Sequence, residues 1–218
     1  MRSISITFIQ ITALLLLGFS RPCLAAKSPS KVITEGAENI RKVLKKKAKK
    51  GTTEATAQRE HLKKTVEKIL DYRELAKRSL GPHWKARTDK ERDEFITLLR
   101  DLIESSYTGS IRNNVNFNLE IEDEQIDENN GTSEVYAVAS AKNSKGKTVS
   151  EDLTFHLFLK KQKWFIYDVE FGDVSLVRHY RGEFNRKIKK ESYAALVKVM
   201  KKKLKEIKSG KVEKKLSL

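Results

Sequence analysis

The side chains in this 218-residue chain most able to do chemistry are four histidines, one cysteine and a run of carboxylates. The histidines are His61, His83, His156 and His179, and no two stand at the i, i+4 spacing that places a metal pair on one helix face. The single cysteine, Cys23, excludes a disulfide framework and a thiolate zinc cluster. There is no Gly-x-Ser-x-Gly nucleophile turn and no glycine loop able to cradle phosphate. Glu120, Glu122, Asp123, Glu124, Asp127 and Glu128 crowd carboxylates together, but their spacing fits no calcium loop and reads as a solvated strand edge. No metal and no cofactor are therefore expected. His156, Asp168 and Tyr167 are the groups left to act as acid or base, which a pocket enzyme of the nuclear-transport-factor type would need deep inside its sheet.

Charge narrows the classes further. Lys and Arg number 45 against 29 Asp and Glu, a net charge of +16. Such a surface suits a nucleic-acid binder or a module that associates with polyanions or anionic membranes. Residues 1–25 argue against nucleic acid. They carry Arg2, an apolar run through Leu14–Leu17 and a small-x-small site at Cys23-Leu24-Ala25, the pattern of a cleaved export signal. The run is too short and too interrupted, by Gln10 and Thr12, for a spanning helix. Arg21-Pro22 before Cys23 disfavours lipidation of that residue. Cleavage after Ala25 removes the cysteine and lowers the net charge by two, leaving an exported domain held together by its core.

The elements that must position any site follow from periodicity. Val32, Ile33, Ala37, Ile40, Val43 and Leu44 recur at helical spacing. A second helix is expected to carry Leu62, Val66, Ile69, Leu70, Leu75 and Leu80 and to end at Gly81-Pro82. Thr88 and Glu91 form a capping box ahead of a third, with Phe95, Leu98, Leu99, Leu102 and Ile103 on one face. The period then becomes 2 at Val115, Phe117, Leu119 and Ile121. Strands at 134–141, 149–159 and 164–171 follow, with turns at Asn129-Asn130-Gly131, Asn143–Gly146 and Lys160–Lys163. Two helices close the chain, carrying Leu176 to Ile188 and Tyr193 to Ile207. This order predicts an α+β domain over 26–210, a curved four-stranded antiparallel sheet packed on one face against about five helices, with a basic tail at 211–218.

Several strings, taken in order, resemble one family. They are Leu70-Asp71-Tyr72-Arg73-Glu74-Leu75-Ala76, Leu80-Gly81-Pro82-His83-Trp84, Phe95-Ile96-Thr97-Leu98-Leu99-Arg100-Asp101-Leu102 and Tyr107, then Trp164-Phe165-Ile166-Tyr167-Asp168-Val169, Gly172-Asp173-Val174-Ser175-Leu176-Val177 and Tyr180-Arg181-Gly182-Glu183-Phe184. In spacing and order they resemble the MlaC family, also called the toluene-tolerance auxiliary family, over about residues 32–207. The resemblance implies a periplasmic phospholipid carrier of Gram-negative bacteria. Such a carrier works between an outer-membrane lipoprotein complex and the substrate-binding component of an inner-membrane ABC transporter, and maintains outer-membrane lipid asymmetry. It implies no catalytic residues and no enzyme activity, with the phospholipid as cargo. The abundant lysines and the tight Lys160–Lys163 turn depart from the family pattern.

A carrier of this kind must keep acyl chains dry. At about 0.8 kcal/mol per exposed CH₂, two chains of about 15 methylenes cost on the order of 24 kcal/mol in water. Hiding them takes a cavity of roughly 1,000 Å³ with apolar walls. The sheet offers Val115, Phe117, Leu119, Val138, Phe155, Leu157, Ile166 and Val169 for such walls, and the next segment Val174, Leu176 and Tyr180. Alternation leaves open which face of the last strands points inward, since a slip of one residue reverses them. With equal flanks at the turn, Asp168 shares the face of Ile166 and, once buried, needs a partner, for which Arg181 is the candidate. Trp84 either plugs one end of the cavity or staples its own loop.

Overall fold

The computed structural model describes residues 27–209 apart from 47, 50, 114–116 and 144–145, and gives only the backbone for 107–113. The expected export signal at 1–25, Val115, the side chain of Tyr107 and the tail at 211–218 lie outside the described residues. Helix α1 (Pro29–Lys45) begins with proline in its first turn, and the Ser28 hydroxyl accepts the Lys31 N–H. α2 (Thr53–Val66) and α3 (Tyr72–Leu80) follow, then a single 3₁₀ turn at Gly81–Trp84. Gly81 takes a φ of 55°, which ends α3 where an L side chain would be strained. α4 (Asp89–Asn113) opens on the expected capping box, with Thr88 N–H donating to Glu91 at 2.8 Å and Glu91 N–H donating to the Thr88 hydroxyl at 3.2 Å.

Five strands make one antiparallel sheet in sequence order: β1 (Asn118–Asp127), β2 (Thr132–Lys142), β3 (Thr148–Lys160), β4 (Lys163–Phe171) and the short β5 (Val174–Ser175). α5 (Leu176–Lys190) and α6 (Tyr193–Lys208) complete the chain. The α+β class is as expected, with one more helix and one more short strand among the described residues. The β3–β4 turn places Lys161 and Gln162 at φ of 49° and 61°, the left-handed pair that a two-residue hairpin requires.

The additional helix arises because the expected second helix is two. Its break at residues 67–70 has a physical cause. The Asp71 N–H donates to the Ile166 carbonyl at 2.9 Å, and the Ile166 N–H donates to the Ile69 carbonyl at 2.7 Å. The chain thus leaves the helix to pair with β4, and the Asp71 carboxylate restarts it by accepting the Glu74 N–H at 3.0 Å. Gly36 makes room for this segment, since a Cβ there would lie 2.6 Å from Ile69 Cδ1.

Separate cores result. The largest is helical: α3, α4, α5 and α6 pack around Phe95 and Phe184, both fully buried, with ring centroids 5.3 Å apart edge to face. Trp84 belongs to this core, under the Arg92 guanidinium, so it staples its loop. The second core joins α1 to the sheet through Ile33, Val135, Leu157, Trp164 and Ile166.

Asp168 corrects one expectation. It is 5% exposed, but its partner is not Arg181. Ser175 Oγ donates to it at 2.5 Å and the Val177 N–H at 3.0 Å, so it caps the start of α5. Arg181 instead donates to the Arg78 carbonyl at 2.9 Å, at the end of α3. The bulge between His156 and Leu157 shifts the register and pairs Asp168 with His156, away from the face of Leu157 and Ile166.

Two outcomes follow. Asp168→Ala strands two buried donors and is expected to lower the unfolding free energy by ~2–3 kcal/mol in urea titrations; an unchanged midpoint would remove the cap from the stabilising set. Burial pushes the Asp71 carboxyl up, but the Lys160 ammonium at 2.6 Å and the Glu74 N–H outweigh it and hold it below the usual 3.8. A depressed carboxyl stabilises the fold above its unfolded value and ceases to do so as the pH falls through the lower folded one. Asp71→Asn keeps the cap, so it is expected to cost ~0.5–1 kcal/mol at neutral pH, with the difference closing as the pH falls through the lowered folded value.

Candidate functional site

Register assigns every strand residue to one of two faces. Across β2 and β3, Ala137 lies opposite Leu153, Val135 opposite Phe155 and Ser133 opposite Leu157. β1 adds Leu119 and Ile121, opposite Ala139 and Ala137. β4 adds Ile166, Val169 and Phe171, opposite Leu157, Phe155 and Leu153. This is the inner face, an apolar surface across four strands.

α1 covers only part of it. Ile33 inserts over Val135 and Leu157, and these three are essentially inaccessible. Ser30 donates its N–H to Glu124 at 2.6 Å and its hydroxyl to the same oxygen, pinning the start of α1 to β1. Farther along, Arg41 donates to the Phe117 carbonyl at 3.1 Å and lies over that ring. Beyond this lid the inner face opens. Leu119, Leu153, Phe155 and Val169 are half-buried, and Phe171 and Val149 are 38% and 52% exposed. The centre of the sheet is filled; its margin is an uncovered apolar strip.

Of the expected wall residues, the structure brings together Leu119, Phe155, Leu157, Ile166 and Val169 on this face. Phe117 sits at its edge under Arg41. Val138 falls on the opposite face, opposite Glu120 and Asp152. Val174 is 54% exposed on β5, and Leu176 and Tyr180 are buried in the helical core. The residues missed are Ile33 and Val32 of α1, Ile69 and Leu70 of the broken segment, and Val135 and Trp164 of the sheet. Val135 was accessible to alternation, since Ser133, Val135 and Ala137 form the buried series of β2.

The opposite face carries the polar and aromatic groups. The Arg78 guanidinium lies 3.8 Å from the Tyr167 ring centroid, and Phe158 meets both Tyr167 and Phe165. His156 sits between two carboxylates, with Nε2 2.9 Å from Glu170 and Nδ1 3.4 Å from Glu134. His156, Asp168 and Glu170 offer ligand atoms within 4.8 Å of one another. Their bonds are already committed. Both Asp168 oxygens serve the α5 cap, and Arg178 donates to Glu170 at 2.9 Å. The group is better suited to holding α5 on β4 than to holding a cation. His156 and Tyr167, two candidates for pocket acid or base, project away from the apolar face.

Clefts open on the surface of the described residues. One of about 280 Å³ lies beside the β4 pairing segment, with Leu70, Tyr72, Ile96 and Phe165 below Arg100 and Lys160. Burial and the nearby Glu104 and Glu67 carboxylates push the Tyr72 phenol far up, so it stays a neutral donor there. Another, of about 470 Å³, lies between α4 and α6. Each is well below the roughly 1,000 Å³ that two acyl chains need, and none of the expected wall residues lines either. No helix among the described residues is long and apolar enough to cross a membrane.

A mixed domain with an antiparallel sheet, one apolar face and a partial helical lid defines the class, and comparison with known proteins agrees. The family model described as MlaC protein matches residues 35–202, and the chain belongs to that family. Among solved structures, a phospholipid-binding protein from Ralstonia solanacearum, determined in complex with a phospholipid, superposes with a TM-score of 0.72. The match is 14% identical and covers 84% of this chain and 99% of that one. No curated protein matches at a significant level.

The filled centre and open margin should respond differently to truncation. Leu157→Ala, at a fully buried position, is expected to cost ~3 kcal/mol in chemical denaturation. Phe171→Ala, at the exposed margin, is expected to cost under about 1 kcal/mol. Equal losses would mean that the margin is packed as tightly as the centre.

Proposed function

We propose that this protein is a phospholipid carrier that takes acyl chains against the inner face of its sheet. The observation that carries the reading is the apolar surface running from under α1 to the half-buried Leu153, Phe155 and Val169 and the partly exposed Phe171. Alkyl chains offer no hydrogen bonds, so a smooth apolar wall suffices and no polar constellation is needed. Membership in the MlaC family and the fold shared with a phospholipid-binding protein support the same conclusion.

The space for two chains comes from displacing α1. That helix is held to the sheet by Ile33 and the half-buried Val32, and by polar ties from Ser30 and Arg41 at its two ends, while Val43 and Leu44 pack it against α2. Lifting it exchanges burial by Ile33 for burial by lipid, so the apolar face remains covered throughout. In this reading the protein is exported to the periplasm after loss of residues 1–25. It receives and delivers phospholipid between an outer-membrane lipoprotein complex and the substrate-binding component of an inner-membrane ABC transporter, supporting outer-membrane lipid asymmetry. The reading contains no catalytic step.

Solvent extraction of the purified protein followed by mass spectrometry tests it. Phospholipid in stoichiometric amount is expected; protein that is repeatedly empty, and that stays empty after incubation with phospholipid vesicles, would refute the carrier. Phe155→Glu places a carboxylate on the inner face and is expected to reduce lipid content severalfold. Val138→Trp, on the opposite face, is expected to leave it unchanged.

A further inference from the structure

α6 carries a second, unexplained pattern. Leu196, Val197, Met200, Leu204 and Ile207 face the helical core. On the opposite side Lys198, Lys201, Lys202, Lys205 and Lys208 recur at intervals of three and four, so five exposed ammonium groups form one stripe. From Lys198 to Lys208 the stripe is about 15 Å long at 1.5 Å per residue. α5 adds exposed Arg186, Lys189 and Lys190 at its C-terminal end. Residues 176–208 hold twelve Lys and Arg against three Glu.

Carboxylates neutralise only part of the stripe. Glu94 pairs with Lys201 at 2.6 Å, Asp101 with Lys208 at 3.7 Å and Glu206 with Lys202 at 3.9 Å. Among the described residues no ion pair reaches Lys198 or Lys205. The cleft of about 470 Å³ runs along the same stripe, floored by Leu98 and Leu204 and rimmed by Lys201, Lys205 and Lys208. An apolar floor beneath a cationic rim matches an amphiphile whose phosphate sits above its hydrocarbon, more closely than it matches a purely acidic protein surface.

One edge of the sheet has the reverse sign. Residues 118–134, comprising β1 and its hairpin, carry seven Asp and Glu and no Lys or Arg. β1 is the far edge of the sheet, whereas the helical layer attaches at β4 and α6 packs on α4 and α5. A negatively charged surface therefore attracts the α6 stripe and repels the β1 hairpin, which favours one orientation as well as affinity.

We propose that the α6 lysine stripe, with the end of α5, is a docking face for an anionic bilayer surface, and that the acidic β1–β2 edge keeps the opposite side turned away. The inference concerns the outside of the molecule and stands whether or not the sheet carries lipid.

The test is vesicle co-sedimentation of the full chain, without its export signal. Vesicles of phosphatidylcholine alone are compared with vesicles that also contain phosphatidylglycerol, at low salt and at about 0.5 M salt, where exposed charges are screened. Two charge-matched triple variants are compared: Lys198→Glu, Lys202→Glu and Lys205→Glu on the stripe, and Lys142→Glu, Lys147→Glu and Lys163→Glu at the sheet turns. Binding is expected only to the phosphatidylglycerol vesicles and only at low salt. The stripe variant is expected to lose tenfold or more of the partitioning, and the turn variant less than threefold. Circular dichroism shows whether each variant is folded, and a milder set with Gln at the three stripe positions covers the case in which Glu unfolds α6. Equal losses in the two variants, binding to phosphatidylcholine alone, or no binding to anionic vesicles at low salt would each overturn the proposal. Lipid extracted from the same preparations reports separately on carriage, so failure of one reading is distinguishable from failure of the other.

Discussion

The structure depends on how the outer edge of β4 is covered. A strand whose backbone donors and acceptors face water on one side is a template for unwanted pairing. Here that edge is closed in two pieces. Ile69 and Asp71 pair with Ile166 near its start, and β5 pairs with Glu170 and Phe171 at its end. Each closure also anchors helices. The first breaks what would be one long helix into α2 and α3, and the second leads directly into α5, whose buried Val177 N–H Asp168 satisfies from β4. The helical core is thereby joined to the sheet by backbone hydrogen bonds and a buried cap as well as by packing.

That arrangement leaves the inner face free for a different use. The helical core attaches at one edge and needs little of the sheet's apolar surface. Only α1 crosses it, and Ile33 fills its centre. A close-packed interior resists opening because every displaced side chain loses its neighbours. A single helix over a sheet margin that is already half exposed has less to lose. The same division explains why the polar groups gather on the opposite face. His156, Glu170 and Arg178 lie where water reaches them and where they brace α5, leaving hydrocarbon surface uninterrupted on the other side.

The distribution of charge belongs to the same design. Lysines concentrate on the helices, which need one apolar stripe each and can be cationic elsewhere. Carboxylates concentrate on the edge strand β1, where charge blunts the second open edge of the sheet. A molecule with such ends has a preferred orientation in any field of one sign.

Much of this was legible in the chain itself. Helix faces such as Phe95 to Ile103 and stops such as Gly81-Pro82 are short-range properties, fixed by steric and hydrogen-bonding rules within a few residues. The meander and its turns follow from period-2 alternation for the same reason, and the family strings lie on these elements. Five of the residues expected to line a wall, Leu119, Phe155, Leu157, Ile166 and Val169, share the inner face and were within reach of alternation. Which face is the inner one was not. Alternation separates Val138 from Val135, three residues apart on β2, but only the cross-strand register shows that Val135 shares its face with Leu119, Phe155 and Leu157. The bulge after His156 turned Asp168 away from Ile166 and toward Ser175, and no local pattern announces an extra residue in one strand. The break at 67–70 was equally hidden, because its cause is the Ile166 backbone nearly a hundred residues away. Local periodicity thus determined which residues are greasy and in what elements; which of them share a wall was decided by long-range backbone pairing, which depends on groups that sequence spacing does not bring together.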